Sequence, residues 1–331
     1  MKCFSSIEQF RHIVERVHHW AQATSSELPT LTFQGTAKLH GTNTGISRIV
    51  QGDGSIVYGA QSRKQKLSTE EQHFGFLTFL RQIPEEALES LFATARQNLA
   101  TKESDETMTI FGELIGKGVQ KGVAVSKLPE KQFVVFQVAL GSEYVGNHVD
   151  IALPEHKVHN ILSVSPYTVE VSFSAPEEAV RQMEKLTLAV EKKCPWGAKF
   201  GIDGVGEGIV WTCMERPADS ALWFKTKGHK HSEKVKRKTI EISPEKMASI
   251  EECAEKVMTE ARLAKGLDHL KEQGLAIEAR NTGAFLAYIG KELEREERDT
   301  IEVSQIEWKS LWKVAAKMAR QYFLKETQRL P

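Results

Sequence analysis

The segment Lys38-Leu39-His40-Gly41-Thr42-Asn43 sets a lysine between a β-type run and a glycine turn, beside a histidine and just before a threonine and an asparagine. A lysine so placed can present its amine to a bound group, and the amine becomes a nucleophile where neighbouring cations disfavour its charged form. Two lysines able to supply that field stand far along the chain, Lys225 and Lys227 in Trp223-Phe224-Lys225-Thr226-Lys227. If that stretch is a strand, side chains two apart share a face and both amines point the same way.

Two carboxylates complete the set: Glu113 in Phe111-Gly112-Glu113-Leu114-Ile115-Gly116, and Glu207 in Gly206-Glu207-Gly208-Ile209-Val210-Trp211. A nucleotide ribose needs an acceptor for its hydroxyls, and a divalent cation that neutralises phosphates needs a hard oxygen ligand. One glutamate for each task is a sensible division.

These residues need elements to hold them. Residues 7–21 space Ile7, Phe10, Ile13, Val14, Val17 and Trp20 three or four apart, which predicts an amphipathic helix. From about 31 to 62 short β-type runs take over, Leu31-Thr32-Phe33 and Gly45 to Val50, then a Gly52-Asp53-Gly54 turn and Ser55 to Tyr58. A hairpin with its loop at Lys38–Asn43 is expected. Residues 69–99 and 176–193 read as helices, and Met108–Phe111 and Gln132–Val138 as strands rich in β-branched and aromatic side chains. Ile209-Val210-Trp211 and Leu222 to Lys225 read as an antiparallel pair joined by a polar loop with Pro217. The first 230 residues or so are α+β.

Beyond them Lys225, Lys227, Lys230, Lys234, Lys236, Arg237 and Lys238 stand against Glu233 alone, a linker near 228–243, and Ser243-Pro244-Glu245 opens a new helix. From 244 to 328 the pattern predicts helices only, with Leu311, Trp312, Ala315, Met318, Ala319, Tyr322 and Phe323 on one apolar face. Trp308 and Trp312, four apart, read as core. We therefore expect two domains, 1–235 and 241–331.

Composition bounds the function. With 40% hydrophobic and 27% charged residues, neither a disordered chain nor a membrane protein is supported, and no run reaches the roughly 18 apolar residues of a span. The N-terminus lacks a signal-peptide apolar region, and the four cysteines form no C-x-x-C pair, so a cytoplasmic protein is expected. Lys+Arg at 44 equals Asp+Glu at 44, so contact with phosphate must come from a local concentration of charge, which the 225–238 run supplies. The helical tail, with 15 basic and 17 acidic residues over 241–331, does not. His229-Lys230-His231 lacks cysteine or carboxylate neighbours and reads as a phosphate or solvent contact rather than a metal site. Gly204-Val205-Gly206 and Gly116-Lys117-Gly118 fit neither a dinucleotide fingerprint nor a P-loop and read as turns.

Lys38 to Asn43, Phe111-Gly112-Glu113-Leu114, Phe133-Val134-Val135-Phe136, Glu207-Gly208-Ile209-Val210 and Lys225-Thr226-Lys227-Gly228 follow the order and approximate spacing of motifs I, III, IIIa, IV and V of covalent lysine nucleotidyltransferases. Each alone is weak, but five in order over about 190 residues are specific. DNA ligases and mRNA capping enzymes usually carry Asp where His40 stands. Lys-x-His-Gly-Thr-Asn resembles the RNA ligase 2 family, which includes the phage T4 type and the kinetoplastid editing ligases. The phage-type members also carry an all-helical C-terminal domain of similar length.

The resemblance implies an α+β nucleotidyltransferase (ATP-grasp-like ligase) domain of antiparallel sheets with flanking helices, followed by an all-helical C-terminal domain. It implies that Lys38 attacks the α-phosphate of ATP to leave a lysyl-adenylate, with Mg²⁺ or Mn²⁺ as cofactor. AMP then passes to a 5′-phosphate RNA end and a 3′-hydroxyl displaces it. Ala37 and Leu39 would flank AMP, Glu113 would bind the ribose, Phe136 would stack on adenine and Glu207 would serve the metal. Lys225 and Lys227 would stabilise phosphate charge. Arg63, in Ser62-Arg63-Lys64, matches the motif Ia arginine that contacts nucleotide and RNA end, with Lys64 and Lys66 as close competitors. Asn43 resembles a residue that orients RNA end or phosphates, and His40 one that assists early phosphate chemistry. Gln137 stands where the phage T4 type has an acid. Lys230, Lys234, Lys236, Arg237 and Lys238 would track RNA backbone.

Function is thus expected to be ATP-dependent RNA end joining by a monomer, with no membrane partner. Two rivals stand beside it: a DNA or mixed RNA/DNA strand ligase, and a non-catalytic RNA-binding scaffold with a ligase fold. A scaffold would be marked by loss of the nucleophile or the metal carboxylate, and both are present.

Overall fold

The computed structural model describes residues 1–69, 72–98, 107–146, 148–228, 250–303 and 307–328. The chain divides into two compact units, Met1–Gly228 and His229–Pro331. The expected linker, with Lys230, Lys234, Lys236, Arg237 and Lys238, lies outside the described residues.

The first unit is built on two sheets. Its strands are β1 (Glu8–Gln9), β2 (Thr30–Lys38), β3 (Thr42–Val50), β4 (Ile56–Ser62), β5 (Met108–Ile115), β6 (Gln132–Leu140), β7 (Glu143–Tyr144), β8 (Val158–Asn160), β9 (Tyr167–Ser172), β10 (Gly208–Cys213) and β11 (Phe224–Lys227). One sheet has the order β1-β11-β10-β2-β9 and the other β4-β3-β5-β6-β7, with β8 paired to β6. The expected hairpin through Lys38–Asn43 is therefore not there. β2 pairs with β10 and β9, whereas β3 pairs with β4 and β5. The residues between Lys38 and Thr42 carry the chain from one sheet to the other, and the true hairpin is β3–β4 around Gly52-Asp53-Gly54.

Helix α1 (Phe10–Thr24) starts later than its apolar spacing predicts, because Glu8 and Gln9 pair in parallel with Phe224 and Lys225 instead. Its Ile13 and Val17 pack with Phe33, Phe173, Trp211 and Phe224 in one core. Each such phenylalanine contributes roughly 1.5–3 kcal/mol by leaving water. The expected single helix over 69–99 is broken into a 3₁₀ turn at Gln72–Gly75, α2 (Phe76–Arg81) and α3 (Glu85–Asn98). His73, Phe74 and Gly75 have φ of 52°, 59° and 72°, a left-handed run that ends any right-handed helix, and Pro84 separates α2 from α3. α4 (Glu177–Lys192) forms where the spacing predicts it, and a short α5 (Pro195–Lys199) follows. β9 has no counterpart in the sequence reading.

The second unit, among the described residues, contains helices and one 3₁₀ turn and no strand: α6 (Ile250–Val257), α7 (Glu260–Glu272), α8 (Thr282–Val303) and α9 (Trp308–Thr327). Thr259 caps α7 by accepting from Arg262 N–H, and the buried Arg262 guanidinium pairs with Glu297 at 2.9 Å. Gly266 lets α7 close on α8, since a Cβ there would sit 2.6 Å from the Phe285 ring. Trp308 and Trp312 stack 5.8 Å apart against this core, as packing residues.

Candidate active site

Strand register assembles the site. Lys38, the last residue of β2, lies opposite Gly208 on β10, and Gly208 lies opposite Lys227 on β11. Phe224 and Thr226 turn toward the α4 side, Phe224 into the core and Thr226 Oγ1 onto Thr187 and Trp211, so Lys225 and Lys227 take the other face, as their spacing predicts. The glycine between the two lysine-bearing strands is obligatory. A Cβ on Gly208 would stand 2.0 Å from the Thr226 carbonyl oxygen.

Glu207, one residue before that row, gathers the cations. Lys38 Nζ lies 2.7 Å from its Oε2, His40 Nδ1 3.2 Å from the same oxygen, and Lys227 Nζ 3.5 Å from Oε1. Burial pushes the Glu207 carboxyl up, but the Lys38 and Lys227 ammonium groups and the hydrogen bond with His40 outweigh it and hold it well below the usual carboxylate range. A buried anion is thus held ionised between two amines and an imidazole from two separate chain segments, Lys38–His40 and Lys227. Lys225 lies one step along β11, opposite Val210.

The turn after Lys38 carries the second carboxylate. Gly41 N–H donates to Glu113 Oε1 at 3.1 Å, and a Cβ on Gly41 would lie 2.2 Å from the Leu114 carbonyl, so only glycine fits. Asn43 is the cross-strand partner of Glu113, which puts both side chains on one face. The Asn43 Oδ1 is enclosed and has no hydrogen-bond partner among the described residues, an acceptor awaiting a donor. Ala37 and Leu39, on either side of the lysine, are both buried in a cluster that also holds Val134 and part of Phe136.

Phe136 sits on a β-bulge. Phe111 pairs with Gln137 and Gly112 with Val135, so Phe136 is the extra residue and the alternation of β6 shifts there. Phe133, Val135 and Val138 pack into the core behind the sheet, while Phe136 and Ala139 pack on the opposite face with Phe4 and Trp223. The Phe136 ring, only partly buried, meets Phe4 edge-on at 5.3 Å. Gln137 is buried, and its Oε1 accepts from Val138 N–H at 2.8 Å, satisfying a donor at the bulge. Sequence reasoning marked Gln137 only as a departure.

Arg63 is not among the residues gathered on Glu207: its Nε donates to Phe4 carbonyl at 3.2 Å and its Nη2 to Ser6 Oγ at 2.6 Å. It clamps the N-terminal segment whose Phe4 touches Phe136. Two site residues escaped the sequence reading, Phe4 and the buried His73 behind the Thr42–Asn43 step. An aromatic ahead of the first helix and a histidine in a helical pattern carry no motif signal.

Among the described residues no group of three or more His, Cys, Asp or Glu side chains could hold a metal ion. The donor set, with the single buried carboxylate Glu207, fits a divalent cation held largely by a ligand's own oxygens better than an all-protein cage. No helix among the described residues is long and apolar enough to cross a membrane.

A family model described as RNA ligase matches residues 31–227, well over half of the chain. The chain belongs to the RNA ligase family. This places it in the nucleotidyltransferase superfamily. The RNA ligase match opens in β2 and closes on Lys227, so it spans all the residues gathered around Glu207. Among solved structures, a point mutant of a Naegleria gruberi RNA ligase with ATP and Mn is similar at 14% identity and a TM-score of 0.45, covering 70% of this chain and 57% of that one. An archaeal ATP-dependent RNA ligase is similar at 12% identity and a TM-score of 0.37, covering 99% and 65%. This RNA ligase family member thus spans little more than half the length of the Naegleria chain. No curated protein matches its sequence.

Proposed function

We propose that this protein is an ATP-dependent RNA ligase that joins 3′-hydroxyl and 5′-phosphate RNA ends, at nicks or breaks in structured RNA, through a lysyl-AMP at Lys38. The observation that carries the reading is the convergence of Lys38, His40 and Lys227 on the buried Glu207, with Glu113 at the adjoining turn.

In the first step Lys38 gives up a proton to solvent and its amine attacks the α-phosphorus of ATP; a P–N bond forms, the bond to the bridging oxygen breaks and pyrophosphate leaves. The RNA 5′-phosphate then attacks that phosphorus, freeing Lys38 and capping the end with AMP. A 3′-hydroxyl finally attacks the 5′-phosphorus and AMP leaves. Every step is a phosphoryl-group displacement, for which positioning and charge stabilisation matter most. Lys225 and Lys227 supply positive charge on the face of Lys38, Glu113 accepts from the ribose, Phe136 stacks on adenine, and Asn43 and Arg63 meet phosphate or the RNA end. Glu207 would hold the divalent cation, which when bound neutralises phosphate charge. The first unit carries adenylyl transfer, and the run from Lys230 to Lys238 with the helical unit engages RNA.

The test is incubation of the protein, stripped of carried AMP, with magnesium and ATP labelled at the α-phosphate, followed by peptide mapping and by sealing assays on nicked RNA and nicked DNA duplexes. AMP on Lys38 and sealing of RNA ends are expected. Absence of label favours a scaffold, and preference for DNA ends makes it a DNA ligase.

A further inference from the structure

His73 lies outside every motif, yet the fold buries it directly behind the Lys38 turn. Its Nε2 stands 2.9 Å from Thr42 Oγ1 and 2.9 Å from the Asn43 carbonyl oxygen. A carbonyl can only accept, so the imidazole must carry its proton on Nε2 and donate to Asn43; the threonine hydroxyl lies within reach of the same proton. His73 is 3% exposed, and its backbone is held in the left-handed region together with that of Phe74, a conformation that side-chain-bearing residues rarely adopt in succession. Lys131 Nζ donates to the Phe74 carbonyl and helps hold the turn.

This turn ends the helical pattern and yields one product, an imidazole against the Thr42 hydroxyl and the Asn43 main-chain carbonyl. That main chain sets a functional direction. The Asn43 side chain shares its face with Glu113 and keeps an enclosed Oδ1 that has no partner among the described residues. Two residues back, Gly41 N–H is tied to Glu113. The segment from Gly41 to Asn43 is thereby held at both ends, by a carboxylate from β5 and by His73 from the turn ahead of α2.

We propose that His73 is a positioning residue for adenylyl transfer: through its Nε2–H bond to the Asn43 carbonyl it fixes the orientation of Asn43 relative to the group bound at Lys38. The inference rests on the proposed function. Because His73 acts on orientation and does not touch ATP, its loss lowers the rate of Lys38 adenylylation and leaves the ATP concentration for half-maximal rate in place.

The experiment is single-turnover labelling with α-labelled ATP across a range of ATP concentrations, for the parental protein, His73→Ala and His73→Gln, with melting temperatures recorded for all three. Glutamine places an amide N–H at the reach of imidazole Nε2. His73→Ala is expected to lower the maximal rate about tenfold, the scale of one lost orienting contact, with half-saturation changed less than about twofold. His73→Gln is expected to restore the rate to within about threefold of parental. A parental rate in His73→Ala overturns the proposal, and so does an equal loss in both variants that follows their melting temperatures, which makes His73 structural only. A parental protein that takes no AMP at all overturns the proposed function itself and this inference with it, whereas a labelled parent with an unaffected His73→Ala overturns this one alone.

Discussion

Lys38 Nζ stands 2.7 Å from Glu207 Oε2 across 169 residues of sequence, and this contact joins the end of β2 to the start of β10. It singles out Lys38, whose side chain is 22% exposed and can be truncated without opening a core. Lys38→Ala is expected to melt close to the parental protein and to take no label from α-labelled ATP. An adenylylated Lys38→Ala would move the nucleophile to another lysine, with Lys225 and Lys227 the first to map.

Glu207→Gln keeps the size and removes the charge, leaving Lys38 and Lys227 facing a neutral amide. Adenylylation is expected to fall by more than about a hundredfold, as for loss of a preorganised electrostatic partner. The acid limb of stability supplies a second reading. A carboxylate whose folded value is depressed stabilises the fold fully above its unfolded value, and that stabilisation is lost as pH falls through the folded value. Glu207 is depressed well below 4.5, so the parental melting temperature should drop more steeply than that of Glu207→Gln as pH falls below about 4.5. Parallel curves would show that the lysine pairing adds no stability.

The candidate site residues were legible because their types and order are written in the chain: Lys38, Glu113, Glu207, Lys225 and Lys227 need no geometry to be noticed. Pairing partners were not. Whether β2 and β3 form a hairpin or enter different sheets depends on β9 and β10, which compete for β2 from over 130 residues away. The bulge at Phe136 escaped because it rests on a main-chain register shift and on Gln137 turning onto Val138, neither of which alters the apolar pattern. β9 was legible and passed over: Tyr-Thr-Val-Glu-Val-Ser alternates, with Val169 and Val171 buried.

Gly208 tests the row directly. Gly208→Ala would drive a Cβ to 2.0 Å from the Thr226 carbonyl and 2.9 Å from Lys227 Cα, levering β11 away from β10 and Lys227 from Glu207. Overpacking of this kind costs about 1–3 kcal/mol. A lowered melting temperature and at least about a tenfold loss of labelling are expected. Gly283→Ala in α8, where a Cβ meets nothing within 4 Å, serves as control and should leave both unchanged or raise stability slightly.

Lys38, His40 and Lys227, which meet Glu207, all come from the unit Met1–Gly228. A 1–240 fragment is therefore expected to take AMP on its Lys38 at near the parental rate while sealing nicked RNA poorly. Full sealing by the fragment would remove the helical unit from the reaction, and loss of labelling would make that unit part of the adenylylation machinery.

Gln137 answers what an amide does where an acid was expected. Its Oε1 is an acceptor for Val138 N–H beside the bulge that turns Phe136 onto the Phe4 face. Gln137→Leu removes the acceptor and leaves a buried donor unsatisfied, a cost of about 1–3 kcal/mol. If the bulge then relaxes, Phe136 swings from its place and the half-saturating ATP concentration should rise about tenfold, the equivalent of about 1.4 kcal/mol of lost stacking. Gln137→Glu keeps an acceptor oxygen at the same position, so it should hold ATP near the parental value. Weak ATP use by Gln137→Glu as well would show that the amide N–H, rather than the oxygen on Val138, is what the site requires.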